Sequence, residues 1–251
     1  MTPVESLRVV VTLPVYKDTV FLRKAVEIVE ETTPQIAPNF VLLILEDGSD
    51  SSQLVNELKP TYRNLVYIQH DQRLGRGKAL REGWKNIDGD VYLYIDVDLA
   101  TDLTKLNAYR DLIVSHPEFD LVTGSRYIPG SETNRPQLRR SASVIYNQLV
   151  RSLFRTGIHD HQCGFKSFSR ELVHVLSAES KTDSWFWDTE VLVLARKLGF
   201  RIREIPVYWT EKKAPRTPLT RLMRDVWIHG SGLMRLVWRV YLRPSSIGGK
   251  S

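Results

Sequence analysis

Continuously apolar runs alternate with helix-patterned segments through the first half of the chain, and this alternation restricts the fold more than any other feature. The runs are residues 8–13 (RVVVTL), 40–45 (FVLLIL), 65–69 (LVYIQ) and 91–95 (VYLYI), with a fifth predicted at 120–123. Between them, 19–31 carries Phe21, Leu22, Ala25, Ile28 and Val29 at helical spacing. Residues 51–58, opened by serines, and 78–86 and 103–115 are also expected to be helical. Strands without a polar face are covered on both sides. The expected fold is therefore α/β, a mainly parallel sheet with helices on both faces. Residues 127–140 (YIPGSETNRPQLRR) read as a long mobile loop.

In open sheets of this kind, ligands sit beyond the carboxyl ends of the strands. Three polar clusters fall there. The first strand runs into Pro14, Tyr16, Lys17 and Asp18, the second into Glu46, Asp47 and Asp50, and the fourth into Asp96, Val97 and Asp98. A parallel arrangement places all three on one edge. Asp96 and Asp98 are the candidate metal ligands. Carboxylate oxygens suit Mg2+ or Mn2+, which take few protein ligands and complete their shell with substrate phosphates.

Composition bounds the rest. Of 251 residues, 42% are hydrophobic and 25% charged, as in ordinary globular chains. No apolar run reaches the 18 or so residues that a membrane span needs. The N-terminus reads as entering a strand directly, with no signal peptide expected. A single cysteine, Cys163, allows no internal disulfide and fits a reducing compartment. The net charge of +6 is uneven. Residues 212–243 contain eight basic side chains and one acid, Asp225, a local charge of +7. Residues 218–242 repeat apolar side chains near helical spacing, including Trp227, Trp238 and Tyr241, and Gly230 and Gly232 are expected to divide them into two short helices. A basic amphipathic segment with aromatic residues suits a membrane interface. Docking of its apolar face on the domain is the competing reading. The expected division is 1–217 for the α/β domain and 218–251 for a membrane-interface tail.

The succession LPVYKD, LEDGSD, LGRGKALREGW and YIDVDLAT resembles the donor half of the Rossmann-like GT-A fold of inverting family-two glycosyltransferases. The resemblance implies that Pro14, Tyr16 and Asp18 cradle the nucleobase and ribose, that Asp47 contacts the nucleotide, and that Asp96 and Asp98 hold the metal on the diphosphate. Glu46, Lys78 and Val97 complete the implied donor-binding set. HDHQCGFKSFSR and WFWDTEVLVLARKLGFRIREIPVYWTE are similar to the dolichyl-phosphate sugar synthases, closest to the glucosyl branch. In the mannosyl branch a glutamine stands where this chain has Ala100. The implied function is transfer of a hexose from a nucleotide sugar to a polyprenyl phosphate, on the cytoplasmic face of a membrane. The protein would be peripheral there or held by an anchor outside this chain. Arg126, Arg139, Arg140, Lys212 and Arg216 are the candidates for acceptor or phosphate binding: a guanidinium fork matches phosphate oxygens, and Lys212 and Arg216 come after the last strand, from where they could close over the diphosphate. Arg126 is also counted, with Asp96, Asp98 and Asp188, in the catalytic set.

Asp188 carries a choice. In many inverting glycosyltransferases a carboxylate here acts as general base. A phosphate monoester, with a second pKa of about 6, is already a competent nucleophile at neutral pH. Asp188 is therefore expected to position a sugar hydroxyl or the acceptor. Val191, Leu192 and Leu194 of the following helix are expected in the core. A nucleotidyltransferase would carry a Gly-rich loop after the first strand, and a processive synthase a QxxRW motif; neither is present. A non-catalytic membrane module leaves the acidic strand ends unexplained. No nucleic-acid motif accompanies the basic stretch. The sequence leaves a homo-oligomer open.

Overall fold

The computed structural model describes residues 6–212 and 219–243. In chain order the elements are β1 (Val9–Val15), α1 (Thr19–Thr32), β2 (Phe40–Asp47), α2 (Ser52–Leu58), β3 (Leu65–His70), α3 (Arg76–Lys85), β4 (Val91–Ile95), α4 (Leu106–Val114), β5 (Leu121–Ser125), β6 (Glu132–Asn134), α5 (Gln137–Phe154), β7 (Phe165–Ser169), α6 (Arg170–Glu179), α7 (Trp187–Lys197), β8 (Ile202–Pro206), β9 (Tyr208–Thr210) and α8 (Leu219–Val237). Seven strands form one sheet in the order β3-β2-β1-β4-β7-β5-β8. Six run in parallel; β7, wedged between β4 and β5, runs against them.

The expected strands are present and mostly longer. β1 and β2 each extend two residues further, so Pro14 lies inside β1, paired in register with Leu45, and Glu46 and Asp47 end β2. The apolar runs are explained by cover on both faces. Leu22, Val26 and Val29 of α1, Val55 of α2 and Leu112 of α4 pack with Val11, Leu42 and Leu93 on one side. Leu80 and Trp84 of α3, Leu172 of α6 and Trp187 of α7 pack with Leu43 and Tyr94 on the other. Residues Trp187–Ala195 of α7 are buried all round. The helix has a third layer behind it, where Val150 and Phe154 of α5 meet Phe186, Val193, Leu236 and Val240.

Two expectations are corrected. Residues 127–140 are not one long loop. β6 pairs in parallel with β9, and α5 begins at Gln137, placing Arg139 and Arg140 in its first turn. The segment containing Gly230 and Gly232 is not broken. α8 runs unbroken to Val237 and continues as one π-helical turn over Trp238–Leu242. Gly232 is tolerated because the helix needs it: a Cβ there would lie 2.5 Å from the Phe186 ring. α8 thus packs on the domain along one side. Lys213, Arg216 and the side chains of 219–225 lie outside the described residues.

Candidate active site

The parallel pairing of β1, β2 and β4 brings the three acidic strand ends to one edge of the sheet. Each is turned out of its strand by unusual backbone. Lys17, Gly48 and Leu99 all have positive φ, at 58°, 77° and 49°. Left-handed backbone at non-glycine residues is uncommon and gathers where function fixes the chain. Ser49 joins the first two ends, accepting from the Lys17 amide at 2.8 Å and donating to Glu46 Oε1. Glu46 is fully buried, and its Oε2 has no hydrogen-bond partner. Pro14, Tyr16 and Asp18 are half-buried around this corner. The Arg73 guanidinium lies 4.0 Å from the centre of the Tyr16 ring.

Asp47 faces the chain itself. Its two oxygens accept from the amides of Leu74, at 2.6 Å, and Gly75, at 3.0 Å. It thereby fixes the turn before α3, which delivers Arg76. Lys78, one turn of sequence away, is exposed. Val97 is buried in the core below the edge.

Arg76 is the residue that sequence reasoning passed over. Its guanidinium bonds Asp96 Oδ1 and, at 3.2 Å, Asp188 Oδ2. One face stacks 3.7 Å from the Trp185 ring. Burial alone would pull its pKa down; Asp96 and Asp188 reverse that and raise it, so it stays charged. Asp188, at the start of α7, accepts from the Tyr94 hydroxyl and from Lys166 Nζ at 3.1 Å. Burial pushes its carboxyl up, but Lys166 and Arg76 hold it below the ordinary carboxylate range. It is therefore an ionised, triply held group. Lys166 is wholly buried and also donates to the Cys163 carbonyl. The one signal for Arg76 was its place between glycines in LGRGKAL. Gly75 and Gly77 are required there, since a Cβ on either would lie 2.4 Å from Asp183 O or 2.3 Å from Thr182 O.

The metal candidates fit a hard cation. Asp96 keeps a side chain 31% exposed, and Asp98 accepts from the Ala100 amide at 3.1 Å. Gly164 leaves room against Asp96, where a Cβ would come within 1.9 Å of Oδ2. No group of three or more His, Cys, Asp or Glu side chains suited to a metal occurs among the described residues. Two carboxylates beside a phosphate-bearing substrate suit Mg2+ or Mn2+, which retain water and phosphate ligands.

The remaining candidates gather elsewhere. Arg126 is buried, and its Nε and Nη2 donate to Asp160 at 2.6 and 2.8 Å. Arg139 pairs with Glu211 at 3.2 Å, alongside Arg135, whose Nη1 donates to Ser143 at 2.9 Å. Arg140 and Lys212 are exposed.

Comparison with known proteins bears on this site. The family model described as Glycosyl transferase family 2 matches residues 10–176. Glycosyltransferase AglD of Haloferax volcanii is 37% identical over 243 residues, 95% of this chain and 38% of that protein. Dolichyl-phosphate beta-glucosyltransferase ALG5A of Trichomonas vaginalis is 31% identical over 175 residues, 68% of this chain and 54% of that protein. The chain thus spans about half or less of these relatives. Among solved structures, glucosyl-3-phosphoglycerate synthase from Mycobacterium tuberculosis, in complex with Mn2+, UDP and phosphoglyceric acid, aligns over 93% of this chain and 81% of its own. Its TM-score is 0.67 at 17% identity, a likeness of fold.

Proposed function

The chain belongs to glycosyl transferase family 2, and from that premise we propose that it moves glucose from UDP-glucose to a polyprenyl phosphate, inverting the anomeric centre. The observation that carries this reading is the convergence of Glu46, Asp96 and Asp98 on one sheet edge, with Arg76 and Asp188 directly behind. Such an edge suits a nucleotide diphosphate, and the dolichyl-phosphate glucosyltransferase relatives support the sugar and the acceptor.

In this reading Pro14, Tyr16 and Asp18 line the nucleoside end. The unpartnered Glu46 oxygen is an acceptor for a donor hydroxyl or N–H. Asp47 contributes by holding the turn at Leu74 and Gly75, with its free lone pairs left for the nucleotide. Lys78 stands exposed in the first turn of α3, beside the turn that Asp47 holds, and would offer a cation to an anionic donor. A divalent cation on Asp96 and Asp98 would neutralise charge growing on the diphosphate as it leaves. Asp188 is suited to orientation: its oxygens are engaged by Tyr94, Lys166 and Arg76, and its low pKa makes it a weak base. The acceptor phosphate needs no base. Arg139 and Arg140 suit its capture. Both stand in the first turn of α5, where a cation opposes the helix dipole; Arg139 has Glu211 as its partner at 3.2 Å, and a bound anion would offset the exposed Arg140. Lys212, exposed just after the last strand, would add a cation from that side, and Arg216, the other candidate there, lies outside the described residues. A thermal-shift screen of UDP, GDP, UDP-glucose and GDP-mannose with Mn2+ tests the donor, since ligands of the folded state raise the midpoint. UDP-glucose is expected to stabilise and to be consumed. Exclusive turnover of GDP-mannose would reject the glucosyl assignment.

A polyprenyl phosphate requires contact with a bilayer. No helix among the described residues is long and apolar enough to cross one. The outward faces of α5, α8 and the π-helical turn after it nevertheless leave large apolar side chains in water, including Leu138, Ile145 and Leu149 on α5, Trp227 and Met234 on α8, and Trp238 in that turn. Between 137 and 155 there are four arginines and no acid. Each basic residue near an anionic surface contributes about 1 kcal/mol. The protein is expected to co-sediment with phosphatidylserine-containing vesicles, less so as salt rises. Replacing Trp227 and Trp238 by serine should weaken this while donor binding survives. A chain that ignores the vesicles and glycosylates a soluble alcohol better would return Asp188 to the role of general base.

A further inference from the structure

Segment 180–186, between α6 and α7, is held from two sides. On one side it meets the start of α3. The Gly77 amide donates to Asp183 O at 2.8 Å, and Arg81 Nη1 donates to Thr182 O at 2.8 Å. On the other side it meets Glu190, 2% exposed, whose carboxylate accepts from the amides of Lys181, at 3.1 Å, and Thr182, at 2.8 Å. Two peptide donors do not balance a buried charge. The balance comes from Arg239, in the π-helical turn after α8. Its Nη1 reaches Glu190 Oε1 at 2.6 Å, and its Nη2 donates to Glu179 O at 2.7 Å. Arg239 therefore ties down both ends of the turn leaving α6. Gly232, against Phe186, seats the same helix at the far end of the segment.

The segment in turn carries Trp185, which stacks on Arg76, and Arg76 bonds both Asp96 and Asp188. We propose that Arg239 is a positioning residue for the active site. It acts through Glu190 on segment 180–186, and through Trp185 on the guanidinium between Asp96 and Asp188. Without Arg239, Glu190 is left buried and unpaired, and the cheapest relief is to turn toward water. That would release the Lys181 and Thr182 amides. The seat then loosens, and Arg76 loses the aromatic face that orients it. Arg239 stands between Trp238 and Val240, on the element whose outer face is exposed. A surface that grips this turn from outside would brace the same ion pair. The consequence for transfer rests on the function proposed above; the seat of the segment does not.

Hydrogen exchange of the full chain without ligands, followed by kinetics with UDP-glucose and Mn2+, tests this. In Arg239→Met the amides of 181 and 182 should exchange at least about tenfold faster than in the wild type, while β1 and β2 stay protected. KM for UDP-glucose should rise ~10-fold or more, with a smaller change in kcat, as expected when a binding group is misplaced. Arg239→Lys should restore most of both. A purely structural loss would lower the active fraction and leave KM unchanged. Glu190→Gln provides the same comparison if Arg239→Met does not fold. Wild-type exchange in both variants overturns the proposal, as does faster exchange with an unchanged KM. If the wild-type chain consumes no UDP-glucose, the link to transfer falls with the donor assignment, and exchange alone decides the seat.

Discussion

Asp96→Ala and Asp98→Ala are each expected to lower transfer about 100- to 1,000-fold or more, the several kcal/mol that a bound metal supplies to a departing anion. Neither should unfold the chain. The Asp96 side chain is 31% exposed, and Arg76 keeps Asp188 when Asp96 is gone. Gly164→Ala gives a second route to the same loss without replacing a carboxylate. Its Cβ would lie 1.9 Å from Asp96 Oδ2, and the end of that side chain is what can move. The fold should survive and the metal ligand should be displaced. Mn2+ titration by calorimetry or electron paramagnetic resonance reads binding, and initial rates read transfer. Full activity in either aspartate variant, or in excess EDTA, would remove the metal from the reaction; full activity in Gly164→Ala with unchanged Mn2+ binding would show that Asp96 had not been displaced.

Arg126→Met and Asp160→Ala are expected to cost about 3–5 kcal/mol of stability each, because either change strands a buried charge. The two side chains are 6% and 0% exposed. Asp160 also receives the Arg126 amide at 3.0 Å, and burial of its carboxyl is outweighed by Arg126, which holds its pKa low. Thermal melting should show a fall of roughly 10 °C. A double variant, Arg126→Met with Asp160→Leu, should cost less than the sum, since no lone charge remains. If Arg126→Met melts normally and loses transfer instead, the guanidinium serves the substrate phosphate, as the sequence suggests, and its pairing with Asp160 is incidental. The effect on Tm separates the two roles because a phosphate contact is made only when ligand is bound.

Local regularities were legible in the chain. Apolar runs alternating with helical spacing require a sheet covered on both faces, and the position of a polar cluster just after such a run is itself a statement about the sheet edge. So LPVYKD, LEDGSD and YIDVD could be placed together from sequence, with Asp96 and Asp98 as an oxygen-only pair. Long-range pairing left no such trace. Nothing near residue 76 says that its guanidinium will meet Asp188, 112 positions later, or that β7 will enter the sheet against its neighbours. A surface arginine and a buried one look alike in sequence. Their difference is the counter-ion that folding delivers: Asp160 for Arg126, Glu190 for Arg239, Asp96 and Asp188 for Arg76. The same holds for α8, whose amphipathic pattern fits a membrane and a protein core equally. Only the packed chain separates the side that takes Phe186 and Glu190 from the side that leaves Trp227 and Trp238 in water, because burial is a property of neighbours, and neighbours are set by the tertiary structure.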